Sequence, residues 1–488
     1  MALPGGGDHV LVRLLVRRGL ALLYLLAFLV AARQFRPLAG EDGLLPLGAY
    51  VDRRSFRERP SLFHRFPDDR VVGAAAWTGV GLSILALAGA PGWLPSPVAL
   101  PASMALWAAL WALYLSFVNA GQTFYGYGWE SMLLETGFLA VFLGTAGTGT
   151  PVLVVWLLRW VLFRNMFGAG LIKLRGDDCW RDLTCLDHHY ETQPIPNPVS
   201  WFAHHLPDRF HRVETLGNHV VELAVPFLYF APQPFAAAAG ALTIGFQGWL
   251  MLTGNFAWLN ALTVVLAVAT FSDGVLAAVL PVAAPASAPV PLPLQVAAGL
   301  LTLLVVVRSV EPVRNMLSER QAMNAAHDPL HLVNSYGAFG SVTRERYEVV
   351  IEGTADGTVT ASTEWREYGF PGKPTDPSRR PRQIAPYHLR LDWQLWFAAM
   401  SPTPRRSPWF RRLLRRLLAG DEAVRSLLAT DPFPDDPPTH VRAVRYRYRY
   451  TTPEERAETG RWWHRERVGT YVRPLSRTDP GGSRRRTR

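Results

Sequence analysis

The chain is expected to be a membrane α-helical bundle of about nine spans followed by a smaller extramembrane β-rich domain with a helical insertion. Three observations predict this. From about Val71 to Val310 the residues are mostly Leu, Ala, Val, Phe and Trp, in runs that approach the ~20 apolar residues a bilayer crossing needs. From Glu311 onward the chain turns polar, with many Arg, Pro and Asp. Near the end, Val444-Arg445-Tyr446-Arg447-Tyr448-Arg449-Tyr450 alternates with the period of a half-buried strand. A length of 488 residues allows two or three domains.

The first apolar run, 10–32, carries Arg13, Arg17 and Arg18 at its N-terminal end. It lacks a convincing cleavage site and further spans follow, so it is expected to be an uncleaved anchor. Further spans are expected over 71–90, 98–118, 131–146 (a shorter one), 152–172, 216–230 and 236–252. An eighth covers 256–271 and extends toward Leu280; a Pro- and Ala-rich linker, 281–293, separates it from a ninth at 294–307. The three arginines favour a cytoplasmic N-terminus, although the first loop, 33–70, is also Arg-rich. Nine crossings then place the C-terminal domain, the first loop and the long loop 174–213 outside.

Expected boundaries are 1–315 for the membrane domain, 334–475 for the C-terminal domain and 476–488 for a disordered basic tail. In the C-terminal domain 347–352 is strand-like, 461–472 reads as a strand partnering the alternating one, and 409–418 has Leu and Arg at helical spacing. The net charge of +11 invites a nucleic-acid reading. A chain this apolar would not be soluble, and its arginines form no helical stripe with interleaved aromatics, so no nucleic-acid partner is expected. Membrane lipid is. Abundant Ala, Arg, Gly and Pro suggest a GC-rich bacterial genome.

Cys179 and Cys185 are the two cysteines, six positions apart. In an oxidising compartment they could close a small loop; in the cytosol they would be free thiols. The outward position derived for 174–213 agrees with a disulfide.

Charged and polar residues within or beside the apolar runs are the informative ones, because each costs at least ~2.5–3.5 kcal/mol at mid-bilayer unless paired or hydrated. They are Glu130 and Glu135, Arg159, Arg164 and Asn165, then Glu214, Asn218, His219 and Glu222, with Asn255 and Asn260 flanking the eighth run. Glu214, Asn218 and Glu222 share one helical face, and His219 lies within reach of Glu222. One reading is an outward-facing polar cavity formed by Glu130, Glu135, Arg164, Asn165, Glu214, Asn218, His219 and Glu222. The other, which intramembrane pairs commonly serve, is register-fixing pairing of Glu130 or Glu135 with Arg164 and of Glu222 with His219. Gly168 and Gly170 suit close helix approach. A metal site would use His188, His189 and Glu191 with His204 or His205, but adjacent histidines aim poorly at one ion, and no metal is expected. No P-loop, GxSxG, HExxH or dinucleotide fingerprint occurs, and no cofactor is expected.

Several stretches resemble the lipase maturation factor family. They are Tyr127-Gly128-Trp129-Glu130-Ser131-Met132-Leu133-Leu134-Glu135-Thr136-Gly137-Phe138, Arg175-Gly176-Asp177-Asp178-Cys179-Trp180, His189-Tyr190-Glu191-Thr192-Gln193-Pro194 and, later, Asn334-Ser335-Tyr336-Gly337-Ala338-Phe339-Gly340 and Leu391-Asp392-Trp393-Gln394. The resemblance covers most of the chain and is less distinct over 1–125. It implies a membrane-bound maturation or folding factor for secreted lipases, without enzymatic activity. Animal members sit in the endoplasmic reticulum membrane with the C-terminal domain in the lumen; a bacterial member would use the cytoplasmic membrane, facing outward. Gly170-Leu171-Ile172-Lys173-Leu174 is more faintly similar to a segment of vitamin K-dependent γ-carboxylases, which implies an alternative, a membrane enzyme with Lys173 as catalytic base. A snorkelling interfacial lysine is the simpler reading of Lys173. The Arg-faced strand and Trp393, Trp396, Trp462 and Trp463 could dock a client, although such aromatics more often belong to a core.

Overall fold

The computed structural model describes residues 9–281 and 288–477. The expected tail therefore lies outside the described residues beyond Arg477, as does the middle of the 281–293 linker. Helices α1 (Val10–Ala39), α2 (Asp69–Ala88), α3 (Ser96–Ala120), α4 (Gly128–Ala140) and α5 (Val152–Gly176) are followed by a loop region of short helices. Then come α6 (Asp208–His219), α7 (Phe235–Thr253), α8 (Leu259–Ala267), α9 (Asp273–Val279), α10 (Leu292–Arg308) and α11 (Val310–Leu317).

Six helical segments among the described residues are long and apolar enough to cross a membrane, and seven if one bent pair counts as a span. The nine expected runs do not all become such helices, and each departure has a local cause. The fourth run gives α4, 13 residues long or about 20 Å, which stops before the Gly- and Thr-rich turns at 141–150. The sixth is broken. After α6 the backbone widens into a π-helical turn, Val220–Ala224, then tightens into a 3-10 stretch, Val225–Phe230, with Pro226 near its start. The eighth does not extend straight toward Leu280, because Ser272 caps a new helix and the chain bends by 116° into α9.

Side chains mark the two ends of the bundle. At one end Arg17 bonds the Gly144 carbonyl and Ser103, Arg13 bonds the Thr148 carbonyl, and Asp273 accepts the Val10 and Leu11 amides. At the other end Gln34 of α1 donates to the His388 carbonyl at 2.8 Å, and Asn255 accepts the Ile384 and Ala385 amides at 2.8 Å. The C-terminal region sits on this second end.

That region contains an antiparallel four-stranded sheet in the order β2-β1-β3-β4: β1 (Arg346–Thr354), β2 (Arg366–Glu367), β3 (His440–Tyr450) and β4 (Trp463–Ser476). The alternating segment is the central strand β3, facing β1 in the register Val350↔Val444 and β4 in the register Tyr448↔Arg465. Tyr448 and Tyr450 are buried while Arg447 and Arg449 are exposed, as a period of two requires. Those arginines are not bare: Arg447 pairs with Glu345 and Glu466, and Arg449 with Glu455. Trp393, Trp462 and Trp463 are core residues. The region's two longest helices are α12 (Arg390–Ala399) and α13 (Pro408–Leu418). On α13 Trp409, Phe410, Leu413, Leu414, Leu417 and Leu418 are buried, and the intervening arginines point away.

The two regions share one continuous core. Gly168 is one reason they can approach: a Cβ there would come within 2.5 Å of the Tyr336 carbonyl oxygen.

Candidate functional site

The polar residues singled out in the apolar runs do not converge on one cavity. They form three buried groups. In the first, Glu130 at the start of α4 accepts from Arg390 of α12 at 2.8 Å and from the Tyr114 hydroxyl, with His388 3.6 Å away. Arg390 also donates to the Phe124 carbonyl at 2.7 Å and lies 3.4 Å from the centre of the Tyr125 ring. In the second, Glu135 takes both Arg164 nitrogens, the Asn334 amide at 3.1 Å and the Tyr336 hydroxyl at 2.6 Å. Arg164 in turn donates to the Asn334 carbonyl at 2.6 Å. Both groups join a bundle helix to the chain beyond it, and their charges are wholly enclosed by protein.

The third group lines a cavity of about 60 Å³ near the C-terminal end of α5. Lys173 Nζ donates to both Glu222 oxygens, at 2.7 and 2.8 Å, and to Asn218 Oδ1 at 3.0 Å; Asn218 Nδ2 donates to Glu222 at 3.0 Å. Glu222 sits in the π-helical turn, and Gly170 lets that turn close in, since a Cβ there would meet the Leu223 side chain at 2.7 Å. Glu214 accepts from the Tyr190 hydroxyl and from Trp249 Nε1 at 2.5 Å. Asn165 donates to Thr263 at 3.0 Å and, with Gln247 and Asn260, completes the polar wall. Glu222 therefore pairs with Lys173, not with His219, whose Nε2 faces the Trp180 carbonyl at 2.9 Å. The Lys173 ammonium brings three donors to this carboxylate and its Asn218 neighbour, while the His219 ring is already engaged by a backbone carbonyl.

Above the cavity lies the loop that follows α5. Cys179 and Cys185 are bonded to each other and buried with Trp180, Leu186 and Tyr190. The Trp180 ring centre is 4.9 Å from Lys173 Nζ. The loop is tied to the sheet as well. Arg346 donates to the carbonyls of Glu191 and Gln193, and Glu191 accepts the Tyr450 amide at 2.8 Å. Arg346 and Lys373 share Glu348 in a further buried cluster.

The candidate metal residues are scattered over separate contacts. His189 packs on Phe256 and Phe339, His205 meets the Trp201 carbonyl, and His204 lies 3.6 Å from Glu191. Among the described residues the metal-type donors that come together are Asp177, Cys179 and Cys185, and there the disulfide consumes both thiolates. Sequence reasoning missed Arg390, His388, Arg346 and Lys373, all buried partners of carboxylates. An Arg-rich polar region offers no local signal that separates these from solvent-facing arginines.

Two family models match the chain: "Lipase maturation factor transmembrane domain" over residues 11–278 and "Lipase maturation factor C-terminal domain" over residues 332–473. Lipase maturation factor 1 of Bos taurus is 44% identical over 520 residues, covering 98% of this chain and 91% of that protein. Lipase maturation factor 1 of Homo sapiens is 44% identical, covering 96% and 88%. Lipase maturation factor 2 of Homo sapiens is 32% identical, covering 96% and 83%. No solved structure matches the chain.

Two outcomes follow from this geometry. Lys173→Met leaves Glu222 buried without its cation and should destabilise by roughly 3–5 kcal/mol, whereas Lys173→Met with Glu222→Leu should recover most of that loss; thermal unfolding of the detergent-solubilised chain measures both. The second concerns pH. Burial pushes His189, His331 and His388 down to about 4 and His204 to about 3, from an ordinary 6.5. The unfolded chain takes up these protons first, so stability should fall as pH drops from 6.5 toward 4. Asp392, raised to about 7 by burial, and Glu191, also raised, act in the opposite sense but are outnumbered. Melting temperatures across that pH range test the sign.

Proposed function

The chain belongs to the lipase maturation factor family, and we propose that it is a membrane-bound maturation factor for secreted lipases that works by binding rather than by catalysis. The observation that carries this reading is 44% overall identity across matches that cover 96–98% of the chain, bundle, loop and C-terminal region included.

The alternative, an enzyme of γ-carboxylase type with Lys173 as base, finds no support in the cavity. A base must present a lone pair toward its substrate, yet Lys173 Nζ faces three acceptor atoms, from Glu222 and Asn218, which match the three donors of an ammonium. In this reading Lys173 holds the π-helical turn against α5, and Glu130, Glu135 and Arg164 hold the C-terminal domain on the bundle. The disulfide-closed loop then becomes a rigid joint between cavity and sheet.

The proposed topology has nine passes. Contacts alternate between the two ends along the chain: Gly144 and Thr148 lie by the start of α1, Lys173 by the outer loop, Tyr229 by Arg159, Thr253 by Gln193, Ala269 by Arg159 again, and Met316 by Arg175. The fourth and sixth passes are then irregular ones, tolerated because their backbones are enclosed by protein. Arg13, Arg17 and Arg18 favour a cytosolic N-terminus, so the C-terminal domain faces outward, into the endoplasmic reticulum lumen or across a bacterial cytoplasmic membrane. A bonded cysteine pair suits that side.

Two experiments test the proposal. In cells lacking a maturation factor, this chain should raise the specific activity of a co-expressed secreted dimeric lipase at equal lipase protein; unchanged activity with normal chain abundance would sink the function. In sealed, right-side-out vesicles, protease should cut the 334–475 region from outside; protection there would reverse the orientation.

A further inference from the structure

Away from the cavity and the loop, three arginines of α1 share a space of their own. Arg13, Arg17 and Arg18 line a cavity of about 150 Å³ at the end of the bundle opposite the sheet. It is walled by the turn after α2, by α3 at Ser103 and Trp107, and by Thr145. That is room for well over one water molecule.

The acceptors these arginines meet are neutral. Arg13 donates to the Thr148 carbonyl at 2.5 Å, Arg17 to the Gly144 carbonyl and Ser103, and Arg18 to the Ala86 carbonyl at 3.3 Å. Asp273 at the same end spends its oxygens on the amides of Val10, Leu11 and Val12, which caps α1. Among the described residues, no carboxylate forms an ion pair with Arg13, Arg17 or Arg18; Asp273 acts on Arg13 only through space, and Arg17 and Arg18 have no anion of their own. A guanidinium carries five N–H donors, so donors remain in excess of these acceptors. Three cations in one enclosure repel each other, and a shared anion relieves that repulsion.

The depth of the cavity indicates where the anion comes from. Trp93, 74% exposed, sits on the short turn joining α2 to α3, the position at which tryptophan anchors a span to the headgroup layer. Leu14 and Leu106 supply apolar wall beside the charges. A site with clustered cations at headgroup depth and an apolar flank matches an amphiphile.

We propose that this cavity binds the phosphate headgroup of an anionic phospholipid, with Arg13, Arg17 and Arg18 on the phosphate oxygens. The site is separate from Lys173 and Glu222 and does not depend on the maturation role. The test uses the full chain in neutral detergent, followed by native mass spectrometry with phosphatidylglycerol, phosphatidylcholine or inorganic phosphate added. Expected is one phosphatidylglycerol retained per chain in preference to phosphatidylcholine, undisplaced by millimolar phosphate. Arg18→Gln, which gives up a single long backbone bond and leaves the packed Arg17 intact, should weaken that retention about tenfold, the usual worth of a charge-assisted contact. Equal retention of the two lipids, or unchanged retention in Arg18→Gln, would overturn the site. Displacement by inorganic phosphate would overturn the lipid assignment in favour of a free anion.

Discussion

A charge removed from water must find an opposite charge, and in this protein that requirement binds the membrane bundle to the domain beyond it. Glu130 enters the bundle end and is met by Arg390, which lies 260 positions later in the chain. Glu135 is met by Arg164 from the neighbouring helix and by the Asn334 amide from the connecting segment. Each carboxylate is wholly buried, so the two halves cannot part without stranding Glu130 and Arg390, at a cost of several kcal/mol, and without stripping hydrogen bonds from Glu135. The C-terminal region is therefore not a tethered appendage. Its position is set by the Glu130–Arg390 ion pair and by hydrogen bonds from Asn334 and Tyr336 to Glu135, a carboxylate embedded in α4.

The same constraint shapes the cavity. Glu222 lies in the widened π-helical turn, on the face that already carries Asn218, and Gly170 provides the space that turn occupies. The loop above it is short of regular structure but not of fixed contacts. A disulfide, the Trp180 indole and the Arg346 guanidinium between them hold its backbone carbonyls and its buried side chains. The loop is thus held on one side by the bundle and on another by the sheet.

Much of this was legible in the chain. The strand 444–450 announced itself through strict alternation, and the helix 409–418 through its Leu and Arg spacing, because both lie half in and half out of water and side-chain polarity tracks the face. Apolar runs located the helices, yet hydropathy could not distinguish an unbroken helix from one that ends early at glycines or widens at Glu222. Lipid and protein interior are equally apolar, so composition does not report how the backbone is wound. Pairing was less legible still. Proximity of adjacent runs matched Arg164 to Glu130 or Glu135 without choosing between them, whereas Glu222 with Lys173 required knowing which helices touch.

Thus the sequence by itself determined the solvent: long apolar runs with sparse charges demand a membrane, and the polar, alternating remainder demands water on one face. It also determined which side chains would be costly to bury, and through long motifs, the family. Only the tertiary structure decided which charge answers which. Coulomb attraction and desolvation act through space, so Arg390 becomes the partner of Glu130 only once α12 is laid against α4, and no spacing along the chain encodes that distance.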